Sequence, residues 1–346
     1  MRYIPISMLE PGMMLGQDIV DGAGRMLLAK DLFLNQEYIK NLDEMGFPGA
    51  YINDQFSEGI EIVQVIQPEI KREALNIVNS LFIDKGAVAS QKCIDDVVMK
   101  VVESMLDNSA IMCNLLDLKK YDDYTYFHSI NVAVLAAMIG VSMNMSVDEL
   151  EMLTTAAMLH DVGKRFIPIE ILGAKRALTF EERKVIQEHP RQGCDFLKEH
   201  YTFSAFVYGG VLEHHEWYDG TGYPLGTKEE DIPLFGRIIK LVDVYDALTS
   251  KRPYHEAQPP ADAVEYLMAM NGVEFDPGVL SVFLKKVAVY PIGCQVELST
   301  GQHAIVVENY SDFVLRPRIK LLSNGSSVNL RDDVAARCIT IKRMIM

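Results

Sequence analysis

The sequence predicts a multi-domain, mainly α protein: an all-helical domain between a small mixed α/β module at the N-terminus and a small all-β appendage at the C-terminus. Three observations carry this. Apolar residues recur at three- and four-residue spacing from about 69 to 290. Short strand candidates between Gly and Asp turns precede that region, and short aliphatic runs separated by Gly, Asn and Ser turns follow Tyr290. The boundaries fall at 1–66, 67–290 and 291–346, the first marked by Pro68 and a change of period.

In the first module, strands are expected over Arg2–Ser7, Arg25–Ala29 and Ala50–Ile52. A helix is expected over Asn35–Met45, stopped by Gly46 and Pro48. It holds no histidine or cysteine, so it reads as a regulatory or packing module. Helices follow over Ile70–Phe82, Ile94–Leu106 and Tyr124–Ser142. Ser146 to Glu149 forms a capping box opening a helix that should end near Gly163. Thr179 to Glu182 repeats the signature before a helix reaching His189, where Pro190 stops or restarts it. Phe206–Leu212 and Phe235–Leu248 are apolar segments of the same domain, and Asp276-Pro277 reads as a cap followed by a first-turn proline. In the appendage, strands are expected over Cys294–Leu298, Ala304–Glu308, Arg316–Leu322 and Arg337–Ile341.

A hydrophobic content of 49% in 346 residues suffices for sizeable cores. The net charge of −15 argues against a general nucleic-acid or anionic-membrane binder, which would cluster Lys and Arg. A small anionic substrate stays open, because local cations override a global field. Five scattered cysteines without a CxxC pair read as reduced thiols of a cytoplasmic protein. No signal pattern opens the chain, and the longest apolar run, Val132–Met143, is too short to span a bilayer.

Chemistry concentrates in the helical domain. Glu213 to Pro224 places two adjacent histidines and the only tryptophan before a turn of Asp219, Gly220, Gly222 and Pro224. His128, His160 and His189 lie upstream; Asp161 follows His160 directly, and Lys164 is three residues on. Asp243 and Asp246 share a helix face. Taken singly, each has an ordinary packing reading: His128 as a satisfied core histidine, His189 as a helix end, Lys164 as a solvated cation at a helix terminus. Jointly those readings fail, since burying several imidazoles and carboxylates without partners is costly. A pair of metal ions removes that cost. It also suits His214 and His215, which diverge by about 100° on a helix and can meet a cluster from two sides. Imidazoles with carboxylates suit divalent Mn, Fe or Zn; the lack of nearby thiols argues against a structural zinc cage.

His160-Asp161 with Gly163 and Lys164, then His214-His215-Glu216 through Asp219-Gly220-Thr221-Gly222-Tyr223-Pro224, resembles the HD-GYP family. Asp243-Val244-Tyr245-Asp246-Ala247-Leu248-Thr249 and Arg252-Pro253-Tyr254 extend the likeness over roughly residues 95–290. The resemblance implies an all-helical HD-type domain that hydrolyses the bacterial messenger cyclic di-GMP to linear pGpG, and onward to GMP. It implies His128, His160, Asp161, His189, His214, His215 and Asp243 as metal ligands, with Asp161 bridging. It implies Lys164 near the scissile phosphate, Gly222, Tyr223, Pro224 and Arg252 holding the dinucleotide, and Asp246 as a partner behind the ligands. Family members with three metals carry a carboxylate four residues before the first histidine. Here Tyr124 stands there, with Asp122 and Asp123 just before, so two ions, Fe or Mn, are expected. The expected mechanism is in-line attack by hydroxide held between the ions, with Lys164 and Arg252 stabilising charge and Lys164 protonating the leaving oxygen. The rivals are a cyclic di-GMP sensor without turnover and an HD-type phosphohydrolase of other nucleotides. A second copy of the chain is the one macromolecular partner this reading admits.

Overall fold

A computed structural model describes residues 1–21, 25–62, 65–83, 89–108, 112, 124–174, 176–250 and 257–345. Five short strands lie at the N-terminus: β1 (Arg2–Pro5), β2 (Met14–Leu15), β3 (Ile19–Val20), β4 (Met26–Leu28) and β5 (Gly49–Asn53). β5 pairs antiparallel with β1 on one side and β2 on the other, while β3 and β4 form a separate ribbon. Helix α1 (Gln36–Glu44) starts one residue inside the expected span, where Asn35 accepts a hydrogen bond from the Tyr38 amide and so caps it. Its Ile39 and Leu42 close a small core with Ile4, Leu15 and Ile52, separate from the larger core that follows.

The helical region comprises α2 (Pro68–Ile83), α3 (Gln91–Asp107), α4 (Tyr124–Ser142), α5 (Val147–Leu159), α6 (Ile169–Leu172), α7 (Phe180–Gln187), α8 (His189–His200), α9 (Ala205–Glu213), α10 (Leu234–Thr249), α11 (Pro260–Ala269) and α12 (Pro277–Leu284). α4 is central. Val132, Val134, Leu135, Ala136 and Ile139 are at most 2% exposed, so the helix is covered on every side, as its near-continuous apolar sequence requires. Both expected capping boxes form, at Ser146/Glu149 before α5 and at Thr179/Glu182 before α7. Pro190 sits in the first turn of α8, where its missing N–H costs nothing, so the chain restarts there. Among the described residues, no helix is long and apolar enough to cross a membrane.

The C-terminal strands β6 (Gln295–Leu298), β7 (His303–Glu308), β8 (Arg318–Leu321), β9 (Ser327–Asn329) and β10 (Ile341–Ile345) form one antiparallel sheet in the order β10-β6-β7-β8-β9. Its inward residues Val296, Leu298, Ala304 and Val306 belong to the same buried cluster as the helices.

Two of the expected elements have different bounds. The helix opened by Ser146 ends at Leu159 instead of near Gly163; His160 is its C-cap and a 3₁₀ turn, Val162–Phe166, follows Asp161. The last strand is displaced from Arg337–Ile341 to Ile341–Ile345. The Arg316 guanidinium binds the carbonyls of Ala336 and Arg337 and holds that stretch in a turn, while Met344 pairs with Val296 on β6. Arg252 and His255 lie outside the described residues, as do Asp122 and Asp123; Tyr124 is the first residue of α4.

Candidate metal centre

Seven side chains from five elements converge. His128 comes from α4; His160 and Asp161 from the C-terminal end of α5; His189 from the first turn of α8; His214 and His215 from the end of α9; Asp243 from α10. The early end of α5 matters here. Asp161 has φ −94 and ψ 2, a conformation outside the helical basin, which turns its carboxylate into the cluster. The following 3₁₀ turn then packs so closely on α8 that a Cβ on Gly163 would collide with the backbone carbonyl of His189. Glycine is what brings Asp161 and His189 together.

The ligand atoms fall into two groups, Asp161 with His189, His214 and His215, and His128 with His160 and Asp243. Asp161 reaches both. Its Oδ1 lies 3.2 Å from His189 Nε2 and 4.0 Å from His214 Nε2, and its Oδ2 lies 3.5 Å from His160 Nε2 and 3.8 Å from His128 Nε2. One carboxylate therefore faces two sets of imidazoles with one oxygen each.

Tautomers follow from the hydrogen bonds. The Nδ1 atoms of His160, His189 and His214 each lie 2.7 Å from the carbonyl three residues earlier, Ala157, Ile186 and Val211. A carbonyl only accepts, so each Nδ1 carries the hydrogen and each Nε2 presents a lone pair. His128 Nδ1 donates instead to Asp246 Oδ2 at 2.7 Å, and Asp246 Oδ1 accepts from Asn131 Nδ2 at 2.9 Å. This is the expected partner role for Asp246.

That arrangement fits metal ions on its own geometry. His160 Nε2 and Asp161 Oδ1 are buried and make no hydrogen bond. His189 Nε2 and His214 Nε2 stand 3.2 Å apart, two lone pairs facing each other with no hydrogen between them. His128 Nε2 and Asp243 Oδ1 stand 3.0 Å apart, a contact that a proton or a cation must bridge. Metal cations would satisfy all three, and imidazole with carboxylate is a donor set for divalent transition metals.

The electrostatics agree. Burial holds His160, His214 and His215 neutral by lowering their pKa values, His214 and His215 well below the ordinary range. Burial opposes charge on His128 too, but hydrogen bonds to Asp243 and Asp246 outweigh it and lift its pKa to about 9. Burial alone would raise Asp161 and Asp243. The Lys164 ammonium beside Asp161, and His128 beside Asp243, keep both ionised, well below the usual carboxylate range.

Lys164 is paired with Asp161 Oδ2 and its side chain is 23% exposed, so it is partly in solvent. Gly222, Tyr223 and Pro224 form the loop after α9. A Cβ on Gly222 would collide with the backbone of Glu216 and Trp217, and the Tyr223–Pro224 peptide is cis. Tyr223 stacks on His215, centroids 4.7 Å apart and planes 19° off parallel, and its amide donates to the His215 carbonyl. The tyrosine expected to hold substrate thus also braces a candidate ligand. Glu216 stood in the motif without an assigned role. It is 2% exposed, and its Oε1 accepts from the amides of Leu225 and Gly226 at 2.6 and 3.0 Å, closing the loop. Its position two residues after His214 was visible; its partners were not.

Residues 100–279 match the family described as HD domain. A cyclic di-GMP phosphodiesterase of Pseudomonas aeruginosa is 37% identical over 67% of this chain and 56% of its own length. A cyclic di-GMP phosphodiesterase response regulator of Xanthomonas campestris is 40% identical over 43% of this chain and 40% of its own length. The chain spans about half the length of the curated relatives it matches. A solved HDG"Y"P protein from Bdellovibrio bacteriovorus superposes with a TM-score of 0.52 over 81% of this chain and 97% of that one at 17% identity, a likeness of fold. The chain belongs to the HD-domain family, in its HD-GYP branch.

Proposed function

We propose that this chain is a metal-dependent phosphodiesterase that hydrolyses cyclic di-GMP to linear pGpG, and onward to GMP. The observation that carries the reading is the division of the Asp161 carboxylate between two groups of Nε2 lone pairs. The names of its relatives supply the substrate. His128, His160 and Asp243 would hold one ion, His189, His214 and His215 the other, and Asp161 would be shared; Fe or Mn suits this donor set. Two such ions, when bound, lower the pKa of water and neutralise phosphate oxygens.

The chain's own residues do the rest. Carbonyls three residues back and Asp246 fix the imidazoles with Nε2 toward the centre. Lys164, partly in solvent beside Asp161, stabilises charge on the phosphoryl group and protonates the leaving oxygen. Gly222, Tyr223 and Pro224, with Arg252, hold the dinucleotide beside His215. The wide spacing of the free thiols accords with a cytoplasmic setting.

Protein loaded with Mn or Fe should convert cyclic di-GMP to pGpG, followed by chromatography beside a panel of other cyclic dinucleotides. His160→Ala should remove metal and turnover together. Sustained turnover by chelator-stripped protein would overturn the mechanism.

A further inference from the structure

A buried charged network adjoins Trp217–Asp219, just before the Gly222–Pro224 loop, and its side chains Lys240, Glu274 and Tyr266 belong to none of the motifs above. Lys240 on α10 and Glu274 in the turn after α11 have side chains only 7% and 4% exposed, with Nζ and Oε1 2.6 Å apart. The Tyr266 hydroxyl donates to Glu274 Oε2 at 2.7 Å. The Lys240 ammonium lies 5.6 Å from the centroid of the Trp217 ring. The backbone closes the circuit: Tyr218 N donates to the Glu274 carbonyl at 3.3 Å and Asp219 N to the Val273 carbonyl at 2.9 Å.

Removing a lysine and a glutamate from water is expensive, and their attraction seldom returns more than apolar residues of equal volume. Such a pair is therefore a poor explanation of stability and a better one of a fixed arrangement. What it fixes here can be traced. α10 carries Asp243 one turn after Lys240. Lys240 holds Glu274; the turn of Val273 and Glu274 holds the amides of Tyr218 and Asp219; and those residues lead directly into Gly222–Pro224.

We propose that the Lys240–Glu274 pair, with Tyr266, is a positioning device that keeps the substrate loop in register with the ligand on α10. Its kinetic consequence rests on the phosphodiesterase reading above; its structural consequence does not.

The test is the double variant Lys240→Met/Glu274→Gln, which removes both charges without stranding either and keeps a side-chain carbonyl as acceptor for the Tyr266 hydroxyl. Tyr266→Phe is the milder companion, deleting one hydrogen bond. Native-state hydrogen exchange should show the Tyr218 and Asp219 amides exchanging about tenfold faster in the double variant. Trp217 is the only tryptophan, so its emission reports this site alone and should change when the neighbouring ammonium is removed. Metal content should stay at the parent level, while KM for cyclic di-GMP rises about tenfold and kcat stays within about twofold, the signature of lost ground-state binding. Tyr266→Phe should move exchange and KM the same way by less. Parent-like amide protection and emission in both variants would overturn the proposal. If the parent chain hydrolyses no cyclic dinucleotide, the phosphodiesterase reading fails instead, and exchange and emission still decide the positioning role.

Discussion

The two halves of the candidate metal centre differ in how far their imidazoles depend on distant contacts. His189 and His214 in one half are each tied to a carbonyl three residues back in their own chain segment, and so is His160 in the other. His128 alone is tied to Asp246, 118 residues away on another helix. A ring held by its own backbone is oriented once that turn forms, whereas His128 is oriented only after α4 and α10 pack. The first half should therefore resist side-chain changes elsewhere. The second can be loosened at His128 without touching a ligand.

The largest effect should come from the residue common to both halves. Asp161→Asn keeps the volume, removes the charge and turns an amide NH₂ toward one group of lone pairs. Both ions should be lost and turnover should fall to background, measured as metal per chain and product formed. Retention of one full equivalent of metal would show that the halves do not share Asp161. Lys164→Met comes next. It removes charge stabilisation without removing a ligand, so metal content should stay while kcat falls about 10²–10³-fold. Asp246→Asn separates the halves most directly: it leaves all seven candidate ligands in place but weakens the hydrogen bond to His128. One ion should bind about 10–100-fold more weakly and the other unchanged, as read by metal titration. Equal weakening at both would remove the distinction.

A smaller effect tests the brace on His215. Gly222→Ala places a methyl against the backbone of Glu216 and Trp217. The loop must shift, at a cost of about 1–3 kcal/mol. Tyr223 moves with it, so the melting temperature and the affinity of the His215 half should fall together, while the His128 half is spared.

The same split between local and distant ties explains what could be read from the sequence. Ser146, Thr179 and Asp276 each cap a helix where expected, because a cap depends on residues within three positions. The candidate ligands were legible through their motifs, and His160-Asp161 was legible as a pair. The turn that divides Asp161 between two groups was not, because α5 ends at Leu159 through packing against α8 at Gly163, far along the chain. Glu216, Asn131 and the Lys240–Glu274 pair escaped for the same reason: each is an ordinary polar residue until its partner, up to 115 positions away, is known.

The smallest effect probes how far the locally tied rings are insulated. Ser146 Oγ accepts from the Glu149 amide at 3.3 Å, and Glu149 Oε2 accepts from the Ser146 amide at 2.8 Å. This box opens the helix whose far end delivers His160 and Asp161. Ser146→Ala should cost about 1 kcal/mol, lowering the melting temperature by about 2–4 °C. It should leave metal affinity and kcat unchanged, because Leu150, Leu153, Ala156, Ala157 and Leu159 are buried along α5 and hold the helix in place once its first turn frays. His160 then keeps its bond to Ala157 O, which lies within the same terminal turn. A tenfold loss of metal affinity would mean that strain at the N-terminus of α5 reaches its C-terminus. Orientation by the neighbouring carbonyl would then not be local at all.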